Sequence, residues 1–294
     1  MGIMSSAKNN SPIYWTECDV KHYAKVLTYP CGVMDIMACS DPVFGRKGWE
    51  VADDWEKPKP SGDHARRSPD PQLEDLQRSM RRARARVRRI ALANDFKYFV
   101  TLTLDPMKVD RESGEAVVKK LNAWCSNAVQ RHGLKYVLVP ELHKKGGIHF
   151  HGFFNDAFPA VDSGTIRLPW AKKPRKPRSA AERADWLAQG GQVVYNLPAW
   201  TLGFTTAMEL YGEYPAAVAY VCKYIGKDGT KPAGRWYYSG GVLEEPRVEY
   251  AELSPAELRD QFGNKAMTID LPGKQLCLVN GIVLNQVHKE DKHG

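Results

Sequence analysis

Two β-type runs separated by a glycine turn restrict the fold more than any other feature of this sequence. Lys135 to His143 (KYVLVPELH) and Ile148 to Phe154 (IHFHGFF) are rich in β-branched and aromatic residues, and Lys144-Lys145-Gly146-Gly147 between them reads as the turn of a hairpin. Side chains alternate along an extended strand. Ile148, Phe150 and Phe154 are therefore expected to point into a core, while His149, His151 and Phe153 point the other way.

The rest of the chain supplies partners for that hairpin. Tyr98 to Leu104 (YFVTLTL) has strand composition and stops at Asp105-Pro106. Leu73, Leu76, Met80, Ala83, Val87 and Ile90 step by three and four, which predicts an amphipathic helix ending near Asn94. The same spacing predicts a helix over Glu115 to Arg131, and shorter helices over Ser179 to Ala188 and Pro215 to Ile225. Further strands are expected at Gln192 to Asn196, Gly203 to Leu210 and Arg235 to Ser239. This order fits an α+β fold, a central antiparallel sheet with helices on one face, better than alternating βαβ units. Residues 1–70, rich in Pro, Gly and Asp in their second half, read as an irregular arm or small subdomain; 71–245 form the main domain and 246–294 a C-terminal extension.

With 294 residues, 43% of them hydrophobic, the chain can bury a full core. No apolar run reaches the length of a membrane span and the first residues lack a secretory pattern, so no membrane partner and a cytoplasmic location are expected. The cysteines contain no CxxC pair, so reduced thiols are the expectation. A zinc shared by Cys18, Cys31, Cys39 and His22 is a lesser alternative.

The formal charge of +8 is concentrated in two runs. Arg78, Arg81, Arg82, Arg84, Arg86, Arg88 and Arg89 crowd the first long helix, and Lys172, Lys173, Arg175, Lys176 and Arg178 lie between prolines. Clustered cations gain from counterion release on a polyphosphate, so both runs are candidate DNA contacts. Trp170, Trp200 and Trp236 are candidates for base stacking, with core positions as the alternative.

Two constellations carry chemistry. His149 and His151 occupy neighbouring positions on one strand face, about 6 to 7 Å apart, and can reach one divalent cation. Glu141, on the partner strand, can add a carboxylate, a donor set suited to Mg²⁺ or Mn²⁺ with positions left open for water and phosphate. Near the end of a helix, Tyr220, Lys223 and Tyr224 are spaced to share a face. A phenol with a pKa near 10 becomes a usable nucleophile only beside a cation that stabilises phenolate.

FVTLTLD (Phe99 to Asp105), PELHKKGGIHFHG (Pro140 to Gly152) and AYVCKYIGK (Ala219 to Lys227) resemble, in this order, the three motifs of HUH endonucleases. The likeness is to rolling-circle replication initiators of single-stranded DNA phages and related plasmids, with paired tyrosines like those of the two-tyrosine subgroup. It covers about Arg81 to Ser239. It implies an HUH or ferredoxin-like palm, His149 and His151 as metal ligands with Glu141 as third, and Tyr220 and Tyr224 as nucleophiles, with Lys223 stabilising phenolate or clamping phosphate. Thr101 and Thr103 would lie in the central sheet near the site. The implied reaction is nicking and joining of single-stranded DNA at a replication origin through a 5′-phosphotyrosyl link. No GxxxxGK[ST] is present, so a host helicase, and a DNA polymerase to extend the 3′ end, are the expected partners in a bacterial cell. A two-tyrosine rolling-circle transposase and a non-catalytic DNA-binding replication or regulatory protein are the alternatives.

Overall fold

Strict alternation of buried and half-buried residues along Tyr98–Leu104 is the local rule from which the largest sheet grows. The computed structural model describes residues 3–4, 13–14, 21–45, 71–143, 146–210, 214–227 and 229–283. In chain order these form β1 (Ile3–Met4), β2 (Ile13–Tyr14), β3 (Ala24–Thr28), β4 (Val33–Cys39), α1 (Pro71–Ala93), β5 (Tyr98–Leu104), α2 (Gly114–His132), β6 (Tyr136–Leu142) and β7 (Ile148–Phe154). They continue with β8 (Val161–Arg167), α3 (Ala180–Ala188), β9 (Gln192–Asn196), β10 (Gly203–Glu209), α4 (Tyr214–Cys222), β11 (Tyr238–Gly240), β12 (Arg247–Ala251), α5 (Pro255–Phe262), β13 (Met267–Leu271) and β14 (Lys274–Val283). Gln72–Glu245 make one compact unit, and Met1–Pro71 with Pro246–Gly294 make a second.

The first unit is built on a seven-stranded antiparallel sheet in the order β11-β6-β7-β5-β10-β9-β8. The hairpin pairs as expected, with Glu141 opposite His149 and Val137 opposite Phe153. On the other side of β7, Thr103 pairs with His149 and Thr101 with His151. Gly152 has no room for a side chain, since a Cβ there would lie 1.9 Å from the Val137 carbonyl oxygen. Val117, Leu121 and Cys125 of α2 pack on one face against Leu102, Leu138 and Phe150.

Helices cover both faces of this sheet, where the sequence pattern predicts one. The cause lies on the histidine-bearing face, which is apolar at one end and polar at the other. Val137, Val139 and Phe153 on that face are all fully buried, and that end needs its own cover. Phe96, just after α1, stacks on Phe153 at 6.0 Å, and Tyr214 of α4 lies 6.0 Å from the same ring. The Tyr214 hydroxyl donates to the carbonyls of Ala91 and Asn94. Arg84 of α1 donates to the Ile225 carbonyl at 2.8 Å, just past α4. Helix α4 therefore ends at the border between the apolar and polar halves of the face.

The second unit joins the two flanks of the chain. A five-stranded sheet in the order β12-β3-β4-β14-β13 pairs Ala24–Thr28 with Arg247–Ala251, and Val33–Cys39 with Lys274–Val283. The flanks read from sequence as an irregular arm and a separate extension thus share one sheet. Helix α5, started by a capping box between Ser254 and Glu257, buries Leu258 against Ile36, Ala38, Cys277 and Val279. Asp35 is buried, and its carboxylate accepts from the Tyr29 hydroxyl and the Gly281 amide, each at 2.9 Å. For the alternative zinc reading, Cys18 lies outside the described residues, and His22 Nδ1 contacts Glu252 at 2.6 Å. No described helix is long and apolar enough to cross a membrane.

Candidate active site

The polar half of the β6-β7-β5 face carries Glu141, His149, His151, Thr101 and Thr103, each placed there by strand alternation and register. Thr101 Oγ1 lies 3.1 Å from His151 Nδ1, and Thr103 Oγ1 lies 3.1 Å from His149 Nδ1. Cross-strand pairing thus gives each imidazole its own hydroxyl, which fixes the ring and leaves Nε2 facing outward. His151 Nε2 meets Glu141 Oε2 at 2.8 Å.

Burial pushes the His151 pKa below its ordinary value, outweighing the nearby carboxylate, and it also lowers that of His149, helped by the other imidazoles. Both rings are thus biased toward the neutral form that ligates a metal. For Glu141, burial favours the protonated acid, but hydrogen bonds from Lys227 and His151 overcome it and hold the carboxyl below its usual range. Lys227 Nζ is 2.5 Å from Glu141 Oε1.

The tyrosines arrive from above. Helix α4 stops at Cys222, and Lys223, Tyr224, Ile225 and Lys227 each donate a backbone N–H to the carbonyl three residues earlier. This tighter winding turns the Tyr224 ring flat onto His151, with centroids 4.1 Å apart and planes 13° apart. Tyr224 donates its hydroxyl to that of Tyr220 at 2.5 Å. Tyr220 is itself 49% exposed, with its ring edge against Phe99 at 5.9 Å. Burial, then the hydrogen bond to Tyr220 and the charge of Glu141, raise the Tyr224 pKa well above the usual phenol range.

Lys223 is exposed, as Tyr220 is, and Lys227, four residues further on, is the lysine that stands at the carboxylate, 5.3 Å from the Tyr224 ring centroid. Gly226 makes that placement possible, with φ +72° and a Cβ position only 2.2 Å from Met80 Cε. His143 is the other residue missed by sequence reasoning. Its ring centre lies 4.9 Å from that of His149, and its spacing of two from Glu141 on the hairpin was the available signal.

Beside the tyrosines runs an open groove of about 640 Å³, floored by Phe99, Thr101, Val194, Thr206 and Met208 and bounded by Tyr220 and Tyr224. Its far wall includes Arg167, Pro169 and Pro174, at the root of the basic proline loop. Lys172, Lys173, Arg175 and Lys176 on that loop are exposed, while Arg178 is paired with Glu182 at 2.8 Å. Of the three tryptophans, Trp170 is 62% exposed beside this loop, whereas Trp200 and Trp236 belong to the core.

The arginines of α1 are less free than their number implies. Arg86 and Arg89 meet Glu245 at 2.7 and 2.9 Å, Arg78 contacts Glu74 and Asp75, and Arg84 is committed to Ile225. Arg88 is half-buried, and Arg81 and Arg82 are exposed.

Among the described residues no group of three or more His, Cys, Asp or Glu is disposed as it stands to hold a metal. The chemistry of Glu141, His149 and His151 nevertheless suits a divalent cation. Both imidazoles are held toward neutrality, their Nδ1 atoms are anchored by hydroxyls, and an ionised carboxylate reaches one Nε2 atom. The Lys227 ammonium occupies the place beside Glu141 that a cation would contest.

Residues 97–229 match the family model of replication-associated protein ORF2/G2P, a span that holds β5 through α4 and both chemical constellations but less than half of the chain. Among curated proteins and among solved structures no significant match is found. The likeness of this segment is to a replication-associated protein family.

Proposed function

We propose that this protein nicks and rejoins single-stranded DNA at a replication origin by tyrosine transesterification, as a two-tyrosine HUH endonuclease. The observation that carries the reading is the contact between the constellations: Tyr224 lies flat on His151 and donates to Tyr220. Tyr220 is the better first nucleophile. It is exposed in the groove, and the hydrogen bond it accepts stabilises charge on its oxygen as phenolate forms. Attack forms a Tyr–O–P bond and breaks the bond to the 3′ oxygen, and the proton released from the Tyr220 hydroxyl is balanced by the one the 3′ oxygen takes up as it leaves as a hydroxyl. Tyr224, whose pKa is raised by burial and by its hydrogen bond to Tyr220, is the weaker nucleophile as it stands and is left for a second cut.

A Mg²⁺ or Mn²⁺ ion held by Glu141, His149 and His151 would polarise a nonbridging oxygen of the scissile phosphate. The groove orients the strand, with the exposed cations of the Lys172–Lys176 run holding its backbone and Trp170 available to a base. Strand opening falls to a helicase supplied by the host, and extension of the 3′ end to its polymerase.

The test is a denaturing gel of the full-length protein incubated with a labelled random pool of single-stranded oligonucleotides and Mn²⁺. A slower covalent band is expected, lost in the Tyr220→Phe/Tyr224→Phe double variant. Absence of the band, or its persistence in that variant, would remove the nuclease proposal. The sequence of the DNA recovered from the band then separates a replication origin from transposon ends.

A further inference from the structure

A second groove, of about 410 Å³, shares no lining residue with the one beside the tyrosines. It opens at the free edge of the seven-stranded sheet, where β11 is the terminal strand. Asn122 of α2, Tyr136 of β6, and Lys231, Arg235 and Tyr237 of the loop before β11 line it, and no acidic side chain does. Its two cations are held in an unusual way. Lys231 Nζ stands 5.2 Å over the ring of Trp236, and Arg235 Cζ stands 6.0 Å over the ring of Tyr238. Both rings are fixed: Trp236 Nε1 donates to Ser79 at 2.8 Å, and Tyr238 donates its hydroxyl to the Ala233 carbonyl. Neither cation has a carboxylate partner among the described residues, so each keeps its charge for an incoming anion.

We infer that this groove is a second contact site for single-stranded DNA, in which Lys231 and Arg235 take successive phosphates and the half-exposed Tyr237 ring takes a base. Anchored aromatic floors spare both cations part of the entropy cost of ordering on binding. A lone inorganic anion would need no aromatic wall, and a duplex could not bring a base face to Tyr237. Alternation of cation and aromatic around an open groove is the arrangement that suits a flexible strand. The inference rests on the reading of the protein as one that acts on single-stranded DNA, but not on the nicking step.

Fluorescence anisotropy of the full-length protein with a labelled thirty-nucleotide thymidine oligomer, across a salt series, tests it. The Lys231→Ala/Arg235→Ala variant should bind about tenfold more weakly at low salt. Each lost phosphate contact should remove about 0.7 from the slope of log K against log salt. Tyr237→Ala should lose about tenfold with the slope unchanged, and Tyr237→Phe should restore it, which separates stacking from a folding defect. A 5-iodouracil strand should crosslink to Tyr237. Unchanged affinity and slope in the double cation variant would overturn the inference. So would inorganic phosphate displacing the oligomer at its own site, or a duplex showing the same dependence on Tyr237. If the wild type forms a covalent band while the groove variants bind normally, this inference fails and the nicking reading survives. If the groove variants weaken binding while the wild type forms no band, the reverse holds.

Discussion

Replacing Lys227 by Met removes the ammonium that now sits 2.5 Å from Glu141 Oε1 while keeping the length of the side chain. Glu141 is the one negatively charged group of the proposed ligand set, so any divalent cation that binds there must displace Lys227 or share the carboxylate with it. The side chains of Lys227 and Glu141 are 55% and 17% exposed. With that much solvent screening the pair is worth about 0.5 to 1 kcal/mol, far below what its short distance would suggest in a dry interior. Since 1.4 kcal/mol is tenfold in a binding constant, Lys227→Met should tighten Mn²⁺ binding about two- to fivefold. Electron paramagnetic resonance titration of free Mn²⁺ against the full-length protein, without DNA, reads this directly. Lys223→Met, which changes an exposed lysine outside the ion pairs of Glu141 with His151 and Lys227, should leave the curve unmoved. In a Glu141→Gln background the Lys227 effect should vanish, as coupling through one carboxylate requires. Unchanged or weaker Mn²⁺ binding in Lys227→Met would refute the competition argument and show instead that the lysine orients the carboxylate for the ion.

The histidine pKa values, both lowered by burial, have a defined consequence for stability. The unfolded chain binds protons at these sites before the folded one does, so their contribution is complete above the ordinary histidine value of about 6.5 and declines as pH falls below it. In metal-free buffer the urea midpoint should drop between pH 7.5 and pH 5.5, by less in His149→Gln/His151→Gln, and an equal drop in that variant would exclude these rings as the cause. Gly152→Ala should cost at least about 3 kcal/mol, because its Cβ would meet the Val137 carbonyl oxygen at 1.9 Å in the middle of the sheet. A thermal midpoint within about 2 °C of wild type would contradict that packing. Arg81→Ala with Arg82→Ala should flatten the salt dependence of DNA binding by about 1.4 without moving the thermal midpoint. Arg84→Ala, which loses its bonds to the Ile225 carbonyl, should instead lower stability by about 1 to 2 kcal/mol. The opposite pattern in thermal melts and binding isotherms would reverse this assignment of the α1 arginines.

The parts of this molecule that were legible from sequence are those in which local pattern and tertiary consequence coincide. The hairpin could be read because four residues with two glycines separate two strand-type runs, and its register then places Glu141 opposite His149 with no further information. Strands β3 and β12 have only five residues each, and nothing local tells Ala24–Thr28 that its partner is Arg247–Ala251, more than two hundred residues away. The arginine run holds ties that no local pattern shows, for the same reason. Glu245 stands far along the chain from Arg86 and Arg89, yet closes on both, so a row read as free cations is partly a set of structural ties.

The site shows where helical periodicity stops being a safe ruler. Positions projected at 3.6 residues per turn hold as far as Cys222, where the chain passes to three-residue turns, so the projection no longer says where Tyr224 and the residues after it point. The cue was Gly226, a residue that tolerates positive φ within a segment otherwise rich in helix formers. Its conformation turns Lys227 back toward the sheet, where the lysine meets Glu141. The meeting point is set by polarity: α4 covers Phe153 and ends where Phe153 gives way, two residues earlier on the same face, to His151. The tyrosines reach the imidazoles because the apolar cover of the sheet runs out at the first polar position of β7. That dependence makes the second tyrosine a reporter of the fold. A change that shifts α4 by one turn along the sheet would separate Tyr224 from His151 without touching either residue.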